Sequence, residues 1–311
     1  MNDLAGKHAF ITGGGTGIGL ATARALGACG ANLTLAARNL ARLEEAASTL
    51  GAHAVSVDAA SEDSVAAAFE AARAKNGPVH ILVNNAGIAP SAPLHNTDIA
   101  MWNEVLAINL TGAFLCTRAA LADMYAAKWG RVVNVASIAG LRGGMYISAY
   151  CASKHGMIGM TRALAHETAK RGVTVNAVCP GYVETDIIDR AVDTITAKTR
   201  LEREEARAML YAGNPQGRLI TADEVASAIS WLCSEGAAAT NGAAIPMTGG
   251  EIQVRELSPH HLSVHHRHSG AMRSIEPGTQ GRTHRATIPW VPGSRCARPG
   301  MTRELGGEVR R

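Results

Sequence analysis

The run His8-Ala9-Phe10-Ile11 passes straight into Thr12-Gly13-Gly14-Gly15-Thr16-Gly17-Ile18-Gly19, and a helical pattern follows over residues 17–29. Few folds accept a strand, a glycine-rich turn and a helix in such close succession. Glycines tighten the turn and let a ligand's phosphates approach the backbone. The helix N-terminus adds free N–H groups and the positive end of its dipole. The arrangement predicts a dinucleotide pyrophosphate site at Thr12, Gly13, Gly15, Thr16, Gly17, Ile18 and Gly19. The unit then repeats. Short apolar runs at residues 32–36, 54–57, 79–83, 131–135, 173–178 and 243–247 alternate with helical patterns. That alternation predicts about seven parallel strands covered on both faces, a single doubly wound α/β domain over residues 1–250. Ser61, Thr97 and Thr221 are read as helix N-caps, the last within the capping box Thr221-Ala222-Asp223-Glu224.

The end of the second strand bears on which dinucleotide. An acidic residue there would hold the adenosine ribose hydroxyls. The sequence is Leu35-Ala36-Ala37-Arg38-Asn39, with Ala37 at that place and Arg38 next. A guanidinium suits a ribose 2′-phosphate, which favours NADP, with NAD as the alternative. Arg38 stacked on adenine or simply solvated fits the same residues. Asp58, after the third strand, can accept from the adenine amine or cap the following turn. Asn84-Asn85-Ala86-Gly87 closes the fourth strand, and Pro180-Gly181-Tyr182-Val183-Glu184-Thr185 follows the sixth. Both lie at the carboxyl edge of the sheet. They add Asn85, Ala86, Gly87, Pro180, Gly181, Val183 and Thr185 to the expected cofactor contacts, with Thr185 placed for the nicotinamide amide.

Tyr150 and Lys154 lie four apart on a long, weakly charged helical stretch, so their side chains share one face. An ammonium beside a phenol favours phenolate and makes the pair usable for proton transfer near neutral pH. Such a spacing alone occurs often by chance. Ser137 ends the fifth strand, thirteen residues before Tyr150. Asn109 falls where two helical segments meet, and a backbone distortion there would free a carbonyl for water.

Taken together, these residues resemble the short-chain dehydrogenase/reductase family over residues 5–250. The glycine turn, Asn84-Asn85-Ala86-Gly87, Asn109 within Ile108-Asn109-Leu110-Thr111-Gly112, Ser137, the Tyr150–Lys154 pair and the Pro180–Thr185 stretch occur in the family's order. The resemblance implies a Rossmann domain, an NAD(P) cofactor and hydride transfer between nicotinamide and a carbonyl or secondary alcohol. It implies a catalytic tetrad of Asn109, Ser137, Tyr150 and Lys154. Tyr150 would be the acid/base and Ser137 would polarise the carbonyl. Lys154 would hold the nicotinamide ribose and lower the tyrosine pKa, and Asn109 would position a relay water. With the tetrad complete, a non-catalytic cofactor-binding scaffold or sensor is the weaker reading.

The substrate pocket is expected at Ser137, Ile138, Leu141, Ile147, Tyr150 and Tyr182, with Met145 and a lid over residues 187–214. It is mostly apolar. The stretches around Lys154-His155-Gly156 and Val178–Thr185 resemble ketoreductases acting on acyl thioesters, polyketide ones included. That makes a 3-oxoacyl-thioester or related ketone reductase the first expectation. An NAD-linked 3-hydroxyacyl-CoA or cyclic or secondary alcohol dehydrogenase is the alternative. Arg200, Arg203 and Arg207 in the lid can meet a carrier phosphate or form a solvated helix face. The resemblance also implies a homotetramer or dimer built on the stretches 110–128 and 150–170.

Composition limits the partners. The net charge of +4 is misleading, because residues 251–311 carry ten Arg and five Glu, leaving 20 basic against 21 acidic residues elsewhere. A nearly neutral body excludes a nucleic-acid-binding core. No run of about 18–20 apolar residues suggests a membrane span, and no secretory signal opens the chain. The six cysteines at 29, 116, 151, 179, 233 and 296 lack paired spacing, as in a reduced, cytoplasmic protein. Five of the eleven Pro and six of the twelve His fall in 251–311, which reads as an irregular, disordered tail. Its His260, His261, His265, His266 and His268 lack acidic or thiol partners at ligand spacing, so no metal site is expected.

Overall fold

A computed structural model of the chain describes residues 3–252. The expectations for residues beyond, including the histidine group, lie outside the described residues. Seven strands form one sheet: β1 (His8–Thr12), β2 (Asn32–Ala37), β3 (His53–Ser56), β4 (Ile81–Asn84), β5 (Gly130–Val135), β6 (Val173–Pro180) and β7 (Ala244–Met247). Their order is β3-β2-β1-β4-β5-β6-β7, with every pairing parallel. The chain winds outward from β1 to β3 and then returns to β4, so the connections after β1 and β4 part and open a crevice at the carboxyl edge.

Nine α-helices cover the sheet among the described residues: α1 (Gly17–Ala28), α2 (Leu40–Ser48), α3 (Glu62–Asn76), α4 (Ile99–Leu106), α5 (Gly112–Ala127), α6 (Ser148–Thr168), α7 (Asp186–Lys198), α8 (Arg203–Tyr211) and α9 (Ala222–Cys233). Strand alternation divides the core. Ala9 and Ile11 pack with Leu26 of α1, Leu43 of α2 and Ile229 of α9. Phe10, on the opposite face, packs with Phe69 of α3 and Met124 of α5. The Phe10 and Phe69 rings stack 4.2 Å apart. Both faces being buried explains why the central strands read as continuous apolar runs rather than alternating ones.

Local signals held where the capping group was local. Ser61 accepts from Ser64 N at 3.3 Å, and Thr221 and Glu224 cap each other reciprocally. Thr97 does not cap α4. Its hydroxyl turns back to Pro93 O, and Asp98 accepts from Met101 N at 2.7 Å instead. β4 begins two residues later than the apolar run suggests, because Val79 N is taken by the Asp123 carboxylate. The lid is more regular than expected. α7 and α8 share a small core of Ile188, Val192, Ala206 and Leu219, and a parallel bridge between Val183 and Ile220 ties its two ends together.

The helix running Ile99–Ala127 is long and apolar enough to cross a membrane, although it holds no unbroken apolar run of that length. Its charges are few and scattered. It nonetheless lies within the domain, with Leu115, Cys116, Ala120 and Met124 in the core.

Two histidines at the amino edge of the sheet make stability depend on pH. His8 contacts Gly77 O through Nδ1 and Thr34 Oγ1 through Nε2, both at 2.8 Å. Asn76 already donates to Thr34 Oγ1, so the hydroxyl proton is left for His8 Nε2. His80 Nδ1 in turn accepts from His8 N at 3.2 Å. Both rings are therefore neutral, and burial lowers both pKa values, with Lys7 adding to the effect at His80. The unfolded chain binds protons near pH 6.5 while the folded one resists them. Stability from this pair is present above that pH and is lost as pH falls through the lowered values. The thermal midpoint should drop between about pH 7.5 and 5, and His8→Gln, less stable at the upper pH, should show a flatter dependence in the same melts.

Candidate active site

The glycine turn is built as a cradle. Gly13 and Gly17 hold φ of 63° and 50°, the left-handed region where a side chain is strained. A β carbon added at Gly19 would fall 2.2 Å from Gly13 O, so helix α1 can pack this close only through glycine. Thr12 Oγ1 accepts the N–H groups of Asn85 and Ala86, each at 3.0 Å, and donates to Val83 O. The Asn85 amide donates to Thr12 O and Gly13 O at 3.0 and 3.1 Å. Asn85 and Ala86 are thus fastened to the glycine turn, and Asn85 spends its amide N–H groups doing so.

Asn109 lies in a π-helical turn, Ala107–Thr111, in which Gly112 N reaches back to Ala107 O. Such a turn breaks the regular ladder of carbonyls, the distortion that the sequence reading anticipated there. Its side chain is wholly buried. Oδ1 accepts from Ile88 N at 2.8 Å, and Nδ2 donates to Ile88 O and Ser153 Oγ at 2.9 and 3.1 Å. The amide therefore pins the loop after β4 to helix α6. A β carbon added at Gly87 would come within 3.2 Å of Asn109 Oδ1 and 3.7 Å of Lys154 Nζ, which places all three residues together.

Ser137, at the end of β5, accepts from Ala139 N at 3.1 Å, and its hydroxyl lies near that of Tyr150. The Tyr150 hydroxyl is enclosed, and burial raises its pKa. The Ser137 hydroxyl opposes that rise. Lys154 is buried, donates to Val135 O at 2.7 Å, and is pushed down to about 8 by desolvation. The expected lowering of Tyr150 by Lys154 is not what this arrangement gives. The ammonium lies 5.7 Å from the Tyr150 ring centroid and is turned toward the Val135 carbonyl, so desolvation governs both groups.

Other expected residues divide. Arg38 is exposed at the end of β2. Asp58 accepts from Ala60 N at 3.0 Å and caps its own turn, the second of its two readings. Thr185 donates to Val183 O, and its methyl would sit 2.9 Å from a β carbon at Gly17, so the start of the lid rests against the glycine turn. Pro180 and Val183 are buried, and Gly181 N donates to Met247 O. Ile18 packs against the core beneath the turn. Gly15 faces Leu43, while Thr16 is the residue before α1. Ile138 is buried, Leu141 and Ile147 are half-buried, and Tyr182 is exposed, while Met145 points mostly to solvent. Arg203 and Arg207 are paired with Asp193 and Glu184, so the helix-face reading holds for them rather than the phosphate one. Among the described residues no three His, Cys, Asp or Glu side chains gather as a metal site, and the five cysteines are free.

Two features escaped sequence reasoning. Asn84 and Asn134 link Thr117 and Thr161 through the sheet by hydrogen bonds of 2.8–3.0 Å. Asparagine inside otherwise apolar strands was the available signal. Tyr146 holds a φ of 64°, unusual for a side-chain-bearing residue, with its carbonyl accepting from Ala92 N. No motif marks that strain.

These side chains meet at the crevice where the sheet order turns back. The side-chain-free backbone of the turn, the N-terminus of α1 and the buried ammonium fit a dinucleotide with a polar ribose. A doubly wound domain with a Ser–Tyr–Lys group there defines a nicotinamide-dependent oxidoreductase. Residues 7–196 match the short chain dehydrogenase family. A D-beta-hydroxybutyrate dehydrogenase of Cupriavidus necator is 39% identical over 257 residues, covering 80% of this chain and 99% of that protein. The 3-oxoacyl-acyl-carrier-protein reductase FabG of Pseudomonas aeruginosa is 38% identical, covering 79% of this chain and 98% of its own length. A crystal structure of a variant actinorhodin polyketide ketoreductase with NADPH superposes with a TM-score of 0.76 at 36% identity, over 79% of this chain and 97% of that one. The chain belongs to the short-chain dehydrogenase family and is an oxidoreductase acting on hydroxyl or keto groups with NAD(P).

The resemblance assigns Lys154 to the nicotinamide ribose, and its lowered pKa would then set a pH limit on cofactor binding. Its ammonium is present below about pH 8 and lost above it. Affinity for NADPH, read by cofactor fluorescence, should weaken by about tenfold once that charge-assisted bond is gone at higher pH. Lys154→Met should bind weakly throughout and lose that step.

Proposed function

We propose that this chain is an NADP-linked reductase of 3-oxoacyl thioesters or related ketones, with Asn109, Ser137, Tyr150 and Lys154 as its working group. The carrying observation is the gathering of Ser137, Tyr150 and Lys154 at the carboxyl edge, with Lys154 buried and anchored to Val135 O. The similarity to FabG and to the polyketide ketoreductase supports the substrate class. When bound, the nicotinamide supplies the hydride that reduces the carbonyl carbon.

The protein's part is to meet charge on the carbonyl oxygen. Tyr150 stays protonated at neutral pH because its hydroxyl is buried, so it serves as the proton donor. The Ser137 oxygen already accepts from Ala139 N, which leaves its own proton free for the substrate oxygen. Two donors aimed at one oxygen form the stabilising pair. Lys154 spends one N–H on Val135 O and keeps two for ribose hydroxyls. Asn109 holds the loop and helix in register while its π-turn offers a carbonyl to a relay water.

The exposed Arg38 underlies the preference for NADP. A second reading, an NAD-linked dehydrogenase of 3-hydroxyacyl substrates or other secondary alcohols, is favoured by the similarity to D-beta-hydroxybutyrate dehydrogenase. We infer assembly into a tetramer or dimer through α5 and α6, where Phe114 is 46% exposed. We place the enzyme in the cytoplasm.

Tyr150→Phe should lower kcat by roughly two to four powers of ten while NADPH binding stays within a few-fold. Retention of most activity in steady-state assays would overturn the role. Arg38→Gln should reduce the preference for NADPH over NADH, measured as a ratio of kcat/KM, by about tenfold. Wild-type protein that binds NAD more tightly than NADP would favour the second reading.

A further inference from the structure

Glu251 follows β7 and turns its carboxylate inward. Its side chain is only 9% exposed and is ion-paired with the guanidinium of Arg142. Arg142 stands on the loop that leaves Ser137, and its carbonyl lies 3.9 Å from the Cys151 thiol, next to Tyr150. A β carbon added at Gly213 would fall 2.6 Å from Glu251 Oε1, and one at Gly181 would fall 3.8 Å from Oε2. The end of the lid, the end of β6 and the Ser137 loop therefore converge on one carboxylate. Glu251 lines a cleft there with Tyr182, Tyr211, Asn214 and Arg218.

Arg218 is committed to Glu224 through two N–H bonds of 2.8 and 2.6 Å. Arg142 is 49% exposed and can turn from Glu251 to an incoming anion. A carboxylate taken out of water is costly unless a cation meets it, so an oxygen anion of the same geometry can take the Arg142 guanidinium only as Glu251 turns out to water. The site is thus formed for an anion, and the chain's own carboxylate fills it.

We propose that Arg142 selects ketones that carry an oxygen anion, and that Glu251 is the internal carboxylate such a substrate displaces. The proposal rests on the reductase reading above and adds a specificity-determining residue to it. The anion is a carboxylate on the ketone itself or a phosphate on its thioester carrier.

Four ketones distinguish these sources in the full-length protein: acetoacetate against ethyl acetoacetate, and acetoacetyl-CoA against acetoacetyl-N-acetylcysteamine. Each pair gives a ratio of charged to neutral kcat/KM. Glu251→Gln should raise one ratio several-fold through KM. Arg142→Gln should lower that ratio by about tenfold, and Arg142→Lys, which keeps the charge, should restore most of it. The pair that responds identifies the anion. Charged and neutral ketones moving together, or neither ratio moving, overturns the proposal. Should none of the four ketones react, the reductase reading fails by itself, and calorimetry with malonate decides the subsite. Binding that strengthens in Glu251→Gln and disappears in Glu251→Gln/Arg142→Gln upholds it, and equal or absent binding in both overturns it.

Discussion

A single directional chain of buried hydrogen bonds holds α5 and α6 in register. Thr117 donates to Ala113 O, and Thr161 donates to Met157 O, each within its own helix. Both hydroxyl protons are thereby spent, so both oxygens can only accept. Asn84 supplies one and Asn134 the other, and Asn84 donates to Asn134 across the paired strands β4 and β5. No reversed arrangement satisfies the same atoms, because neither threonine has a second proton to give. The ladder runs from α5 through two central strands to α6. In a low-dielectric interior such a network is costly to break and specific when complete. Asn84 Oδ1 is the one member atom without a protein partner, a cost of about 1–3 kcal/mol if it stays dry.

The site inherits its geometry from that ladder. α6 carries Tyr150 and Lys154, and β5 ends at Ser137, so Thr161 on one and Asn134 on the other fix the distance between them. Asn109 adds a second tie, from the turn before α5 to Ser153 on α6 and to the loop after β4. Lys154 adds a third, to Val135 O at the end of β5. Ser137, Tyr150 and Lys154 thus stand on elements joined to each other at three depths by buried or part-buried ties.

What could be read in the sequence was whatever depends on neighbours along the chain. The glycine turn, the alternation of runs, the Tyr150–Lys154 spacing and the caps at Ser61 and Thr221 involve residues a few positions apart. The readings that shifted depend on distant partners. Val79 is drawn out of the strand by Asp123, and Arg207 is matched by Glu184. Thr97 was an exception, since its failure to cap was local: Asp98, one residue on, competed better for the same helix end. The orientation of Lys154 was hidden for another reason. Spacing places two side chains on one face, but burial decides which polar atom a buried ammonium meets, and here the nearest was a strand carbonyl.

The contrast between floor and lid follows from where charges lie. Beneath the site, polar groups are buried and paired, and moving one leaves another unsatisfied. In the lid, the Arg42–Asp186 and Arg203–Asp193 pairs join side chains that are each more than half exposed. Such pairs contribute about 0–1 kcal/mol apiece. Four buried residues form the core that α7 and α8 share, and the bridge between Val183 and Ile220 ties its base. A segment held firmly at its base and weakly along its length can change its contacts without disturbing the proton-transfer groups. Reaction chemistry and substrate choice can then diverge within one domain, the first fixed by the ladder and the second left to the residues that face it from the lid and the Ser137 loop.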